Sequence, residues 1–165
     1  MHLIIHDLKP EELALTFSQT GAHVISDDGT IRPCMGCFGC WTKTPGQCVL
    51  HDGYENLGKL LSQCERLTVL SLCLYGGFSP FVKNVLDRSI SYLQPGFVMK
   101  NREMHHRRRY NNVIEWRVLF YGEGLSTQDT AGARELVRAN ALNFYAHVAE
   151  IDFRDHPEFY REALS

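Results

Sequence analysis

The stretch LTVLSLCLYGGFSPFVKNVLDR, residues 67–88, holds the decision about fold. It opens with a run from Leu67 to Leu74 that is apolar on both faces, the pattern of a parallel strand covered on each side. Two glycines follow. Pro80 then starts a segment reaching Tyr92 in which Phe81, Val82, Val85, Leu86 and Ile90 recur at helical spacing. A buried strand that turns through glycine into an amphipathic helix is half of a βαβ unit.

The same alternation continues on both sides. Short apolar runs predict further strands at His2–His6 and Trp116–Tyr121, with weaker candidates at His23–Ser26 and Glu150–Phe153. Helices are predicted over Tyr54–Cys64, carrying Leu57, Leu60 and Leu61, and over Thr127–His147, carrying Leu136, Val137, Ala141 and Phe144. The second follows a capping stretch, Ser126-Thr-Gln-Asp129. Right-handed crossovers then give an α/β fold with a central parallel sheet of about five strands. Its ligand site is expected beyond the strand carboxyl ends, at Asp7, Tyr75 and Tyr121. Residues Leu93 to Val113 lack a clean period and read as a functional loop or a disordered segment. The first helix reads as short, because Gly21 and the next strand follow soon after Ser18.

Bulk properties exclude several classes. The length of 165 residues suits one domain, 1–165. With 44% hydrophobic residues and no apolar run near the ~20 needed to cross a bilayer, no membrane span is expected. Only Leu3 to Ile5 is apolar before acidic residues arrive, so no secretory signal is read and a cytoplasmic location is expected. A net charge of -2 gives no general attraction to nucleic acid. Arg102, Arg107, Arg108 and Arg109 form one local basic cluster beside His105 and His106. That histidine pair reads as surface or, functionally, as the lining of a ring-binding site.

Cys34, Cys37, Cys40 and Cys48 form a C-x2-C-x2-C-x7-C array. Without a secretion signal, metal or redox chemistry outranks a disulfide framework. Gly36 and Gly39 permit the turns that bring thiolates two residues apart onto one [4Fe–4S] cluster. Zinc comes second, since its cysteines usually arrive as two separated pairs. The alternative is that the thiols pack as small hydrophobes beneath Trp41 and Phe38. Cys64 and Cys73 are assigned to the core.

Two blocks, PCMGCFGCWTKTPGQCVLHDG at 33–53 and LYGGFSPFVKNVLDR at 74–88, resemble segments of the flavodoxin-like NAD(P)H-dependent FMN reductases, including the iron-sulfur flavoproteins. EMHHRRRY at 103–110 and RANALNF at 138–144 are similar to segments of one subgroup. The resemblance implies a flavodoxin-like three-layer sandwich and an oxidoreductase. FMN would pass electrons from NAD(P)H or an electron-donor protein to a small acceptor such as a quinone or a free flavin. It places the flavin ring along Tyr75, Gly76, Gly77, Phe78 and Ser79, with Tyr121 and Gly122 at the next strand end. It makes the four spaced cysteines cluster ligands and the protein a homo-oligomer. Asp87 and Arg88 are expected to pair structurally.

The chain departs from that pattern after its first strand, at HDLKPEELALTF. No glycine and no hydroxyl precede Thr16, Pro10 has no N–H, and Glu11 and Glu12 occupy a helical first turn where carboxylates oppose a phosphate. The customary phosphate loop is therefore missing. Three readings follow: FMN has its phosphate held elsewhere, for instance by Arg107, Arg108 or Arg109 of the long loop or of a partner subunit; the chain is a flavin-free flavodoxin-like binding module; or it is a natural variant with a different ligand.

Overall fold

The computed structural model describes residues 1–12 and 21–161. Five strands form one sheet, all parallel: β1 (His2–His6), β2 (His23–Ser26), β3 (Arg66–Leu72), β6 (Ile114–Tyr121) and β7 (Ala146–Arg154). Their spatial order is β2-β1-β3-β6-β7, so the winding direction reverses between β1 and β3. This is the flavodoxin-like order, and the reversal is where such sheets open a crevice. Register is fixed by alternation: Leu67 and Val69 of β3 face one layer, and Leu70 faces the other.

Helices α1 (Gly39–Thr42), α2 (Leu57–Ser62), α3 (Pro80–Arg88) and α4 (Thr127–Phe144) lie on the crossovers after β2. The main core joins Leu57 and Leu61 of α2, Val82 and Val85 of α3, and Val137 and Ala141 of α4. They pack on Val69, Trp116, Val118 and Phe120 of the sheet. The opposite face holds a smaller cluster of Leu8, Leu70, Leu119, Tyr121 and Tyr160. Tyr160, from a 3₁₀ turn at Pro157–Tyr160, donates its hydroxyl to the Phe120 carbonyl at 2.7 Å.

Several sequence expectations hold to the residue, including β1, β2 and the capping box of α4. There Ser126 accepts the Asp129 N–H and Asp129 accepts the Ser126 N–H. Others need correction. The helix predicted over Tyr54–Cys64 is only α2, and the one from Pro80 stops at Arg88, becoming a 3₁₀ turn over Ser89–Tyr92. α4 ends at Phe144 because Tyr145 turns left-handed and β7 begins at once, longer than predicted. The short first helix expected after Asp7 would fall largely on residues 13–20, which lie outside those described.

The largest correction is Leu93–Val113, which is neither a loop nor disordered. It forms an antiparallel hairpin, β4 (Leu93–Lys100) with β5 (Glu103–Arg108). Asn101 and Arg102 both take positive φ, the two-residue turn whose twist matches a hairpin. His105 Nδ1 lies 2.8 Å from Asn143 Oδ1, anchoring the hairpin to the end of α4. Phe97, Met99 and Met104 remain exposed on it.

Candidate functional site

Two regions qualify, at opposite ends of the sheet. The first lies at the carboxyl ends of the strands. After β3 the chain makes a tight turn in which Leu74 and Gly77 exchange both backbone hydrogen bonds, at 3.0 and 2.9 Å. The central pair, Tyr75 and Gly76, has φ of 50° and 71°. Gly76 is required twice over: its φ is left-handed, and an added Cβ would sit 3.0 Å from the Asp129 carbonyl oxygen. Tyr75, a residue that dislikes this conformation, stands fully exposed.

The other residues predicted for this site lie behind the turn. Phe78 is buried between Trp116 and Phe120, with ring centroids 6.4 and 5.2 Å away. Ser79 is buried too; its N–H donates to Ser71 Oγ at 3.0 Å, and its hydroxyl caps α3 by accepting the Val82 N–H. Tyr121 is buried, and Gly122 has φ 151° where the chain leaves β6.

The crevice between β1 and β3 is filled by a carboxylate. Asp7 accepts the Leu72 N–H at 3.0 and 3.3 Å and the Tyr121 hydroxyl at 3.1 Å, and Ser79 is a further side-chain partner. Burial pushes the Asp7 carboxyl above its ordinary value despite these bonds. Next to it, His6 is buried and held down at about 4, because burial disfavours its charged form. The backbone beyond is already engaged. Leu8 N–H donates to His6 Nδ1 at 3.2 Å, and Lys9 N–H donates to Glu12 Oε2 at 2.8 Å.

The second region is a cavity of about 460 Å³ lined by all four spaced cysteines together with Trp41, His106, Arg88, Asn140 and Phe144. Arg88 ends α3, while Asn140 and Phe144 lie in the last turns of α4. Both helices run back from the strand carboxyl ends, so this cavity lies toward the opposite, amino-terminal end of the sheet. The rule that pointed to the strand carboxyl ends did not foresee it. Gly36 has φ 63°, as its expected turning role requires. Cys40 is pushed up, first by burial and then by the neighbouring Cys48, Cys34 and Cys37. Among the described residues no group of three or more His, Cys, Asp or Glu side chains is placed to hold a metal ion, so the structure gathers the four spaced cysteines into no ligand set for a cluster or for zinc.

A buried ion pair fixes this region. Arg88 grips Asp52 in bidentate fashion, Nη1 to Oδ2 at 2.8 Å and Nη2 to Oδ1 at 2.9 Å, with side chains 0% and 5% exposed. Its Nε–H also donates to Cys48 Sγ at 3.1 Å, and its Nη1 donates to the Arg32 carbonyl at 2.8 Å. The hydrogen bonds from Arg88 hold the Asp52 carboxyl far below the usual range. Asp87 and Arg88 are thus structural, but they pair with Lys83 and Asp52 rather than with each other. Trp41 Nε1–H donates to the Leu93 carbonyl at 3.0 Å, and the His106 ring packs between Trp41 and Phe97, 4.8 Å from each. Sequence reasoning missed Asp52, since a partner 36 residues away leaves no spacing signal.

Comparison with known proteins follows these lines. No family profile matches the chain. An iron-sulfur flavoprotein of Methanocaldococcus jannaschii is 31% identical over 75 residues, which is 46% of this chain and 37% of that protein. The Trp repressor binding protein of Bacillus subtilis superposes with a TM-score of 0.57 at 10% identity, covering 99% of this chain and 93% of that one. An FMN-dependent NADH-azoreductase of Bacillus anthracis, solved with FMN, gives 0.55 at 10% identity, covering 93% and 85%. The structural likenesses establish the flavodoxin-like fold, and the curated relative supports the resemblance read from the sequence.

Proposed function

We propose that this flavodoxin-like chain, residues 1–165 acting as one domain, is an oxidoreductase that holds FMN against the turn after β3. Electrons would pass from NAD(P)H or a protein donor to a small acceptor such as a quinone. One observation carries the reading: Tyr75 stands fully exposed, in a conformation it disfavours, beside the crevice where the winding of the sheet reverses. Such strain persists where function uses it. A flavin bound there would supply the hydride and single-electron chemistry.

The chain's own part is positioning. Tyr75 offers a face for a planar ring, while Gly76 and Gly77 carry no side chain to hold that ring away. Phe78 and Ser79 keep the turn rigid from behind. Tyr121 and Asp7 close the floor to water through their hydrogen bond. Gly122 frees the next loop to approach.

The cysteine cavity is the finer part of the proposal. Cys34, Cys37, Cys40 and Cys48 would hold a [4Fe–4S] cluster, whose chemistry when bound is the exchange of single electrons. What supports this part is that the four thiols line one cavity. The exposed Phe97, Met99 and Met104 support self-association into a homo-oligomer.

A flavin-free binding module is the second reading, favoured by the engaged N–H groups of Leu8 and Lys9. Anaerobic purification of the full chain, followed by FMN titration and NADH oxidation with a quinone, separates the two. Expected are the two visible bands of oxidised flavin, quenched Tyr and Trp emission on titration, and flavin-dependent turnover. A protein that takes up no flavin would establish the module instead.

A further inference from the structure

We propose that the strand-end site recognises a flavin by its ring and turns away its phosphate, so that riboflavin binds this chain at least as tightly as FMN. This rests on the flavin reading above and specifies its ligand.

A phosphate at a helix start needs free backbone N–H groups and a positive local field. At residues 7–12 most N–H groups are engaged, that of Glu12 by the Lys9 carbonyl, and carboxylates outnumber the cation. Of the N–H groups that could face it, Leu8 donates to His6 Nδ1 and Lys9 to Glu12 Oε2. Pro10 has none. Leu72 N–H, at the adjoining strand end, is taken by Asp7.

The field has the wrong sign. Within residues 7–12 the sequence holds three carboxylates, Asp7, Glu11 and Glu12, against one cation, Lys9, and no Lys, Arg or His occurs from Pro10 through Ala22. Asp7 already holds the Leu72 N–H and the Tyr121 hydroxyl that an incoming ligand would otherwise meet. A phosphate dianion would meet exposed Glu11 and half-buried Glu12 and Asp7, a repulsion that added salt weakens.

The basic cluster does not compensate from within the chain. Arg107 Nε–H donates to the Phe97 carbonyl, Arg108 to those of Tyr110 and Asn112, and Arg109 to those of Ser91 and Leu93. All three arise at the β5 end of the hairpin, beside the cysteine cavity. The ring platform carries no such penalty, since Tyr75, Gly76 and Gly77 bring no charge. An uncharged flavin therefore keeps the favourable contacts and avoids the repulsion.

The test is a pair of fluorescence titrations of the full, flavin-stripped chain, with riboflavin and with FMN, at low salt and neutral pH. A Kd for FMN equal to or larger than that for riboflavin supports the proposal. Glu12→Gln keeps the acceptor for Lys9 N–H while removing a charge; it should lower the FMN Kd at least threefold and leave that of riboflavin within twofold. Added salt should tighten FMN and not riboflavin. Tighter binding of FMN, or a Glu12→Gln change that moves both ligands alike, would overturn the proposal and leave the flavin reading standing. Binding of neither flavin would overturn both.

Discussion

The strand-end crevice and the cysteine cavity are built by opposite means. At the crevice the chain buries a carboxylate, Asp7, with no cation among its hydrogen-bond partners and satisfies it with Leu72 N–H and the Tyr121 hydroxyl. At the cavity it buries a full ion pair, Arg88 with Asp52, and lays the cysteine segment over it. A lone buried carboxylate is costly and its charge is easily altered; a bidentate pair resists change until one partner is removed. The comparison teaches where to look for adjustable chemistry and where for a fixed frame: the crevice is electrostatically soft, and the cavity is rigid at its root.

Arg88→Met should break the frame most severely. It leaves Asp52 buried without its cation, a loss of about 3–5 kcal/mol, to be read as a lowered urea midpoint with increased accessibility of Cys48 to a thiol reagent. An unchanged midpoint would show that the pair contributes little net stability.

Acid should separate the regions next. His6 has a folded pKa near 4 against about 6.5 when unfolded. The unfolded chain therefore binds the proton first, and stability present above pH 6.5 is lost as pH falls toward 4, by about 3 kcal/mol. Asp7, shifted upward, acts in the opposite sense and offsets part of that loss. Asp52, shifted downward, keeps its contribution through this window and gives it up only below the ordinary carboxylate value. Urea titrations at pH 7.0, 5.5 and 4.5 should show the decline; a flat profile would contradict the burial of a neutral His6.

Tyr121→Phe removes a hydroxyl from the buried Asp7, with an expected cost of about 2 kcal/mol above the Asp7 pKa and less below it. Denaturation at two pH values distinguishes this from simple packing loss, which would not vary with pH.

The smallest effect has the opposite sign. Tyr75→Gly relieves the left-handed strain and should stabilise the fold by about 1 kcal/mol, while weakening flavin binding at least tenfold. Loss of stability instead would mean that the Tyr75 ring packs usefully within the chain.

Much of the fold was legible because local rules and tertiary structure agree. His2–His6 carries the apolar run Leu3–Ile5 in an internal strand, and Ser126 with Asp129 states its own cap. The β4–β5 hairpin escaped because its period-two pattern is hidden under charge and two histidines. Asn101, a residue tolerant of positive φ, was the readable clue to its turn. The Tyr75–Gly76 turn was legible as a turn from the Gly-Gly pair, but the burial of Phe78 and Ser79 depends on what packs against them from β3 and β6. The roles of Asp7 and Asp52 depend on partners 65 and 36 residues distant, and no spacing announces those.

The chain contains two tryptophans, one in the core and one at the cavity rim. Trp116 is fully buried in the sheet core, between Phe78 and Phe144. Trp41 is half-exposed over the cysteine cavity, stacked near His106 and Phe38. The unmodified protein thus carries a pair of intrinsic optical reporters, a blue-shifted one in the interior and a red-shifted, quencher-accessible one at the rim. Iodide quenching as denaturant rises would show whether the rim loosens before the interior, without any label being attached.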